Sequence, residues 1–223
     1  GLGRAVANVH EARLRARYPK GVRRPRNWLL PLPVEGENAD LGLDYLADMA
    51  AAARFAALNR VILSLMVRRV LSKALGRPVG WRLVYDLPHN AIWHQPGGAV
   101  LHRKGACPAL ASAPVIVPGS MGTESALLKG CGSQGCLNSA PHGAGRALRR
   151  NAARSVCADT PARVVTPVDI VAARADVRRD AARRLAEEAP RAYKPIGPVI
   201  DTMVRGDMAT LVARLDPLAT IKG

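Results

Sequence analysis

Aromatic side chains make up only 4% of the 223 residues, with a single phenylalanine. That scarcity argues against a base-stacking sheet of the kind used by single-stranded RNA-recognition modules. Acidic residues are outnumbered, 17 Asp and Glu against 33 Lys and Arg, which leaves a formal charge of +16. Cysteine is sparse too: Cys107, Cys131, Cys136 and Cys157 form no Cys-x-x-Cys pair. Cys131 and Cys136 sit in a Gly-rich loop where zinc would need further ligands, so reduced thiols are the expectation. No apolar run approaches the roughly 18 to 20 residues that span a bilayer, and the start of the chain lacks a signal-peptide pattern. The expected location is the cytoplasm, with no membrane partner.

What is present fits a globular α+β protein. Hydrophobic content of 48% over this length is enough for a substantial core. The basic excess favours a polyanionic partner, because Lys and Arg that neutralise phosphates release condensed counterions. Arg-rich composition inherited from a GC-rich genome gives the same balance, so charge alone does not decide between them.

Residues 1–17 and 39–75 carry helical patterns, and the segment between them is broken by prolines and glycines. In the second pattern Leu43, Leu46, Met49, Ala50, Ala53, Ala57, Val61, Leu65 and Met66 trace a stripe near period 3.6, which predicts a core helix or two in series. From Gly80 to Val117 the runs WRLVYDL, AVLHRK and APVIV predict strands. A Gly-rich zone at 118–146 follows, then a short basic helix at 143–155, a strand at 162–166 and a helix at 168–188. AYKPIGPVIDTMV predicts a last helix and MATLVARLDPL a last strand. No repeat or long linker divides the chain, and one domain is expected.

Two stretches of the Gly-rich zone could carry chemistry. PGSMGTES at 118–125 reads as a glycine turn with Thr123, Glu124 and Ser125 in the first turn of a helix, an arrangement that suits an anion. It lacks the Gly-Lys-Ser/Thr ending of a P-loop, and an ordinary capped helix explains it as well. His142, in SAPHGAGR at 139–146, has small neighbours that leave its imidazole unobstructed, and Arg146, Arg149 and Arg150 follow. A neutral imidazole beside arginines is suited to attack a phosphoryl group whose oxygens the guanidinium groups hold. His89, His94 and His102 lie on strand-like segments and could converge on a metal, or be ordinary polar positions of a sheet. His89, between Asp86 and Asn90, is the better candidate, and His10 is expected at the solvent face of the first helix.

Several blocks, in order, resemble the signatures of the RtcB family of RNA ligases. They are DLPHN at 86–90, HRKGACPA at 102–109, PGSMGTES at 118–125, NSAPHGAGR at 138–146, PRAYKPI at 190–196 and LDPLATIKG at 215–223. The stretch 35–60, with DLGLDYLADMAAAARFAALNR, joins them within the long helical region. The resemblance covers nearly the whole chain and implies mixed sheets with packed helices, here the C-terminal part of one catalytic domain. It implies GTP and manganese as cofactors, RNA as the partner, and joining of a 3′-phosphate or 2′,3′-cyclic phosphate end to a 5′-hydroxyl end in tRNA splicing or RNA repair. By the same matching His142 is the catalytic residue, receiving GMP covalently, and His89 is a manganese ligand. Asn90, Lys104, Pro118, Gly119, Ser120, Met121, Ser125, Gly143, Ala144, Gly145 and the penultimate Lys222 resemble the guanylate site. Arg146 and Arg150 stand where an RNA phosphate would bind, and an activating protein factor is a further implied partner.

The chain also departs from the family's pattern. Members hold two manganese ions with an Asp and a Cys of an N-terminal block, a His of an Asn-His-Phe block, and a His just before Gly-Ser-Arg-Gly-Leu-Gly. Here GLG at 1–3 resembles the end of that last block, so of the family's metal ligands only His89 is expected. Cys107 replaces the usual Thr after KGA, and Ala126 stands where an aromatic is common. The chain alone is therefore expected to be inactive, as the guanylate-accepting half of a longer enzyme. The rival readings are a non-catalytic basic RNA-binding module and a metal-dependent phosphohydrolase built on His89, His94 and His102.

Overall fold

The computed structural model describes residues 2–18, 32–88, 90–156 and 186–217. The chain divides into two compact units, Gly1–Arg103 and Lys104–Gly223. The predicted strand at 162–166, most of the helix at 168–188, His89, Cys157 and Lys222 lie outside the described residues.

The first unit is built on α1 (Leu2–Ala16) and α2 (Ala39–Ala74). Three polar pairs run in opposite order along the two helices and mark them as antiparallel: His10–Asp48 at 2.8 Å, Arg13–Asp44 at 3.0 Å and Arg17–Asp40 at 3.0 Å. The two exposed pairs, Arg13–Asp44 and Arg17–Asp40, contribute at most about 1 kcal/mol each, so they fix register more than stability. His10 departs from expectation. It is only 7% exposed, its Nε2 lies on the Asp48 carboxylate, and its ring meets Tyr45 edge-on.

α2 is one continuous helix, yet it is not the core helix its stripe predicts. Only Leu41, Gly42 and Ala52 are buried, whereas Leu43, Leu65 and Met66 are more than half exposed. A 3.6 period establishes that an apolar face exists, and this unit supplies too few elements to cover it. Although Arg54 and Arg60 interrupt its apolar run, α2 is long and apolar enough to cross a bilayer by length and composition alone. β1 (Asn90–His94) and β2 (Val100–Lys104) pair around the turn Pro96–Gly98. Residues 81–87, expected as a strand, form no ladder. Asp86 there takes the Arg60 guanidinium in a two-bonded pair at 2.5 and 2.7 Å.

The second unit holds two small antiparallel sheets. β3 (Ala106–Pro108) pairs with β6 (Ser139–Pro141), with Ala106 opposite Pro141 and Cys107 opposite Ala140. β4 (Pro114–Val117), β5 (Ser125–Gly130) and β7 (Ala209–Leu215) form a sheet with β5 in the middle. Ser125 is therefore the first residue of a strand, not part of a helix's first turn. Ala126, Leu128 and Gly130 alternate inward, and two neighbouring strands satisfy the backbone that a helix would have bonded to itself.

α4 (Ile196–Arg205) packs on this sheet through Ile196, Ile200 and Met203, spaced four and three apart on one face. Together with Val115, Val117 and Cys107, all at 0% exposure, these residues make the core. α3 (Arg150–Val156) starts later than expected. Residues 145–148 run alongside 192–194 instead, through Lys194 N–H to Gly145 O and Ala147 N–H to Ala192 O at 3.0 and 2.9 Å.

Candidate nucleotide-binding site

His142 follows β6 directly, so the β3–β6 ladder fixes its backbone. Its N–H donates to Gly105 O at 3.4 Å, extending the ladder by one residue. The imidazole lies over Gly105: a Cβ built there would stand 3.8 Å from Nε2 and 3.9 Å from Cδ2. Lys104, the residue before, is exposed at the end of β2. On the other side, the Cα of Gly143 carries its missing side chain toward Pro118 O, at 3.9 Å. Gly105 thus lies against the imidazole, and the backbone at Gly143 comes close to Pro118.

The loop between β4 and β5 is a built turn. Ser125 Oγ accepts from Gly119 N–H at 3.0 Å, Thr123 N–H donates to Ser120 O at 3.1 Å, and the Ser120 and Thr123 hydroxyls are 3.0 Å apart. Met121 is buried beneath it at 6% exposure. Gly119 is required at its position, since a Cβ would fall 2.0 Å from Glu124 O. Ser125 therefore shapes the loop by holding the Gly119 amide, and Ala144 and Gly145 continue from His142 toward the 192–194 strand-like segment. Asn90 lies in the first unit, where it opens β1.

The arginines have partners that the sequence did not foretell. Arg146 donates to Leu148 O at 3.1 Å and to the Tyr193 hydroxyl at 2.9 Å, and also bonds Glu187 O. Its guanidinium lies 4.8 Å from the Tyr193 ring centroid. Arg150 bonds Glu187 and Glu188, both at 3.1 Å, while its side chain keeps 64% exposure. Arg154 reaches the same Glu187 at 2.6 Å, and these guanidinium groups, Arg154 first, hold the Glu187 carboxyl below the usual carboxylate range. Sequence reading missed Glu187, Glu188 and Tyr193. They lie some forty residues away in the chain, and no periodicity links them to Arg146.

Among the described residues no three His, Cys, Asp or Glu side chains converge as a metal site. His94 and His102 sit on β1 and β2. His102 stacks on Tyr45 and places its Nε2 3.2 Å from the Tyr45 hydroxyl, and burial pulls its pKa down. A cavity of about 690 Å³ in the first unit is lined by His10, Leu14, Leu41, Tyr45 and His102. The described residues thus place a backbone-anchored histidine close to a glycine-rich turn, and among them no set of side chains fits manganese.

The chain is an α+β protein in which backbone pairing positions a histidine close to a glycine-rich turn. The family of tRNA-splicing ligase RtcB matches residues 1–223, and the chain belongs to that family. It is 34% identical to the RNA-splicing ligase RtcB of Mycobacterium tuberculosis over 247 residues, covering 100% of this chain and 54% of that protein. The tRNA-splicing ligase RtcB of Archaeoglobus fulgidus is 34% identical, covering 100% and 50%, and that of Thermococcus kodakarensis is 33% identical with the same coverage. The chain spans about half the length of these curated relatives.

Proposed function

We propose that this chain carries the guanylate-accepting part of an RNA ligase that consumes GTP. The approach of the His142 imidazole to Gly105, with Gly143 close to Pro118 of the 118–121 turn, supports that reading best. An imidazole nitrogen of His142 attacks the α-phosphorus of GTP, forming an N–P bond as pyrophosphate leaves. Lys104 and the backbone of the 118–121 turn balance charge on the phosphate oxygens. The guanylate then passes to an RNA 3′-phosphate, freeing His142, and the 5′-hydroxyl of a second RNA end attacks that activated phosphate and releases GMP. Splitting the reaction this way makes a poor electrophile reactive in successive easier steps.

Manganese, when bound, would neutralise triphosphate charge, with His89 its expected ligand in this chain. The remaining ligands would come from the portion that the relatives carry outside the matched region. Arg150, half-committed to Glu187 and Glu188 but still exposed, is the proposed contact for an RNA phosphate.

The test is labelling with α-³²P-GTP and manganese. A polypeptide that adds the relatives' remaining portion should form an acid-labile adduct that disappears in His142→Ala, while the chain alone forms none. An adduct that survives His142→Ala, or salt-sensitive RNA binding with no adduct in the complete polypeptide, would favour the non-catalytic RNA-binding module instead.

A further inference from the structure

α3 presents two arginines to one buried carboxylate. Arg150 and Arg154 are four residues apart and so lie on one face of the helix, beside Ala153. Ala153 is fully buried against Ala186, Ala189 and Ala192, which brings Glu187 to both guanidinium groups. Arg150 Nη1 donates to Glu187 Oε2 at 3.1 Å and Arg154 Nε to Glu187 Oε1 at 2.6 Å, so each holds one oxygen. The Glu187 side chain keeps 7% exposure, whereas those of Arg150 and Arg154 keep 64% and 49%. A purely structural network would bury its cations with its anion; here the anion is inside and the cations face out. A guanidinium has N–H donors on all three nitrogens. Arg150 uses Nη1 on Glu187 and Glu188, and Arg154 uses Nε and Nη2 on Glu187, which leaves Nη2 of Arg150 and Nη1 of Arg154 for another acceptor. With Arg146 included, three guanidinium groups share two carboxylates, so the cluster stays positive.

We infer that Arg154 joins Arg150 in clamping one backbone phosphate of the RNA, and that Glu187 is the positioning residue that holds the two guanidinium groups side by side. The inference rests on the proposed reading of Arg150 as an RNA contact and adds a second cation and its anchor. Arg154 and Arg150 donate to the phosphate oxygens from the solvent side, in the charge-assisted geometry that suits arginine. Glu187 lowers the cost of binding by fixing both long side chains beforehand. A backbone phosphate is the ligand because, on the proposed function, the terminal 3′-phosphate is engaged at His142.

The sign of one substitution separates this from simple electrostatics. Glu187→Gln removes a negative charge beside the RNA, which alone would tighten binding, yet it replaces one acceptor oxygen by a donor and releases one guanidinium. Affinity of the chain for a fluorescein-labelled single-stranded RNA is measured by anisotropy across a potassium chloride series, with stoichiometry and circular dichroism confirming that each variant is folded. Arg154→Gln should weaken binding about tenfold at low salt, the scale of a charged hydrogen bond. It should also flatten the salt dependence by roughly 0.7 in log–log slope, as for one phosphate contact on a single strand. Glu187→Gln should weaken binding about threefold, the scale of ordering one long side chain on binding, and should have no effect when Arg150→Gln and Arg154→Gln are both present. Arg205→Gln, an equal loss of charge at the end of α4, should change affinity less than Arg154→Gln. Tighter binding by Glu187→Gln overturns the inference, as does an Arg154→Gln effect no larger than that of Arg205→Gln, or a loss seen only on RNA ending in a 3′-phosphate and not on RNA ending in a 3′-hydroxyl. If Arg150→Gln itself leaves affinity and slope unchanged, the reading of Arg150 fails and the inference with it; if Arg150→Gln weakens binding and Arg154→Gln does not, the inference alone fails.

Discussion

Replacing Gly119 with Ala probes whether the turn beside His142 is held as rigidly as its contacts imply. The added Cβ would lie 2.0 Å from Glu124 O and 2.7 Å from both Thr123 O and Thr123 Oγ1, well inside contact distance. These are mostly backbone atoms and cannot rotate away. Glu124 precedes Ser125, which is paired with Leu215, and Val117 is paired with Ala126, so the strands on either side pin both ends of the loop. Relief requires breaking the Gly119 N–H to Ser125 Oγ bond or shifting the edge of the sheet. Overpacking of this kind costs about 1–3 kcal/mol and the lost hydrogen bond about 1 kcal/mol, together roughly 2–4 kcal/mol.

Gly122→Ala is the comparison. It meets nothing within 4 Å but has φ +73, and the left-handed conformation alone costs about 1–2 kcal/mol. Gly135, with open space and no positive φ, is the control, expected to change stability by no more than about 0.5 kcal/mol. Cys107, at 0% exposure on β3, is a reporter confined to the second unit, whereas Trp81 and Trp93 report on the first. Thiol labelling of Cys107 across a urea series, read by peptide mass, should give midpoints falling in the order Gly135→Ala, Gly122→Ala, Gly119→Ala. Equal midpoints for Gly119→Ala and Gly135→Ala would refute the rigid-turn reasoning.

Acid should separate two further variants from the parent, each in its own unit. The Glu187 carboxyl is held low by Arg154 and Arg150, so its stabilising effect is full above the ordinary glutamate pKa and is lost as pH falls through the lower folded value. The parent's Cys107 protection midpoint should therefore drop more steeply than that of Glu187→Gln as the pH falls below the ordinary glutamate pKa, and parallel curves would discount the ion pairs. For His102, burial lowers the folded pKa, so on acidification below about pH 6.5 the unfolded chain takes up the proton first. The first unit should lose stability from pH 7 to pH 5 by tryptophan-monitored unfolding, and His102→Gln should flatten that slope; an unchanged slope would assign it to another group.

The parts of the fold that were legible in the sequence are those whose apolar period is set locally. α1, α2, α4, β4 and β7 all follow from spacing of apolar residues. β5 was misread because Thr123, Glu124 and Ser125 are good helix-start residues, and its inward positions, Ala126, Leu128 and Gly130, are not β-branched. What makes it a strand is pairing with β7, some ninety residues away, as in Leu127 opposite Ala213. The late start of α3 has the same origin, since the 145–148 backbone is bonded to 192–194. His10, expected at the solvent face of α1, is instead buried against Tyr45 and Asp48 of α2. The glycine clusters were more informative than any periodicity, since they marked the places where 105, 119 and 143 approach other backbone or the imidazole.

That pattern bears on how the proposed site divides its labour. His142 is one residue beyond the Ala106–Pro141 pair, and its N–H continues that ladder to Gly105. Its backbone position therefore comes from pairing within the second unit. Lys104 and the 118–121 turn belong to the same unit, whereas Asn90 belongs to the first. On the proposed function, what the rest of an RtcB-type protein must add is charge neutralisation around the triphosphate rather than placement of the nucleophile. Loss of manganese would then abolish guanylylation while leaving the exchange protection of the His142 amide unchanged, and a His142 amide that becomes unprotected on chelation would show that the metal, not the ladder, holds the imidazole in place.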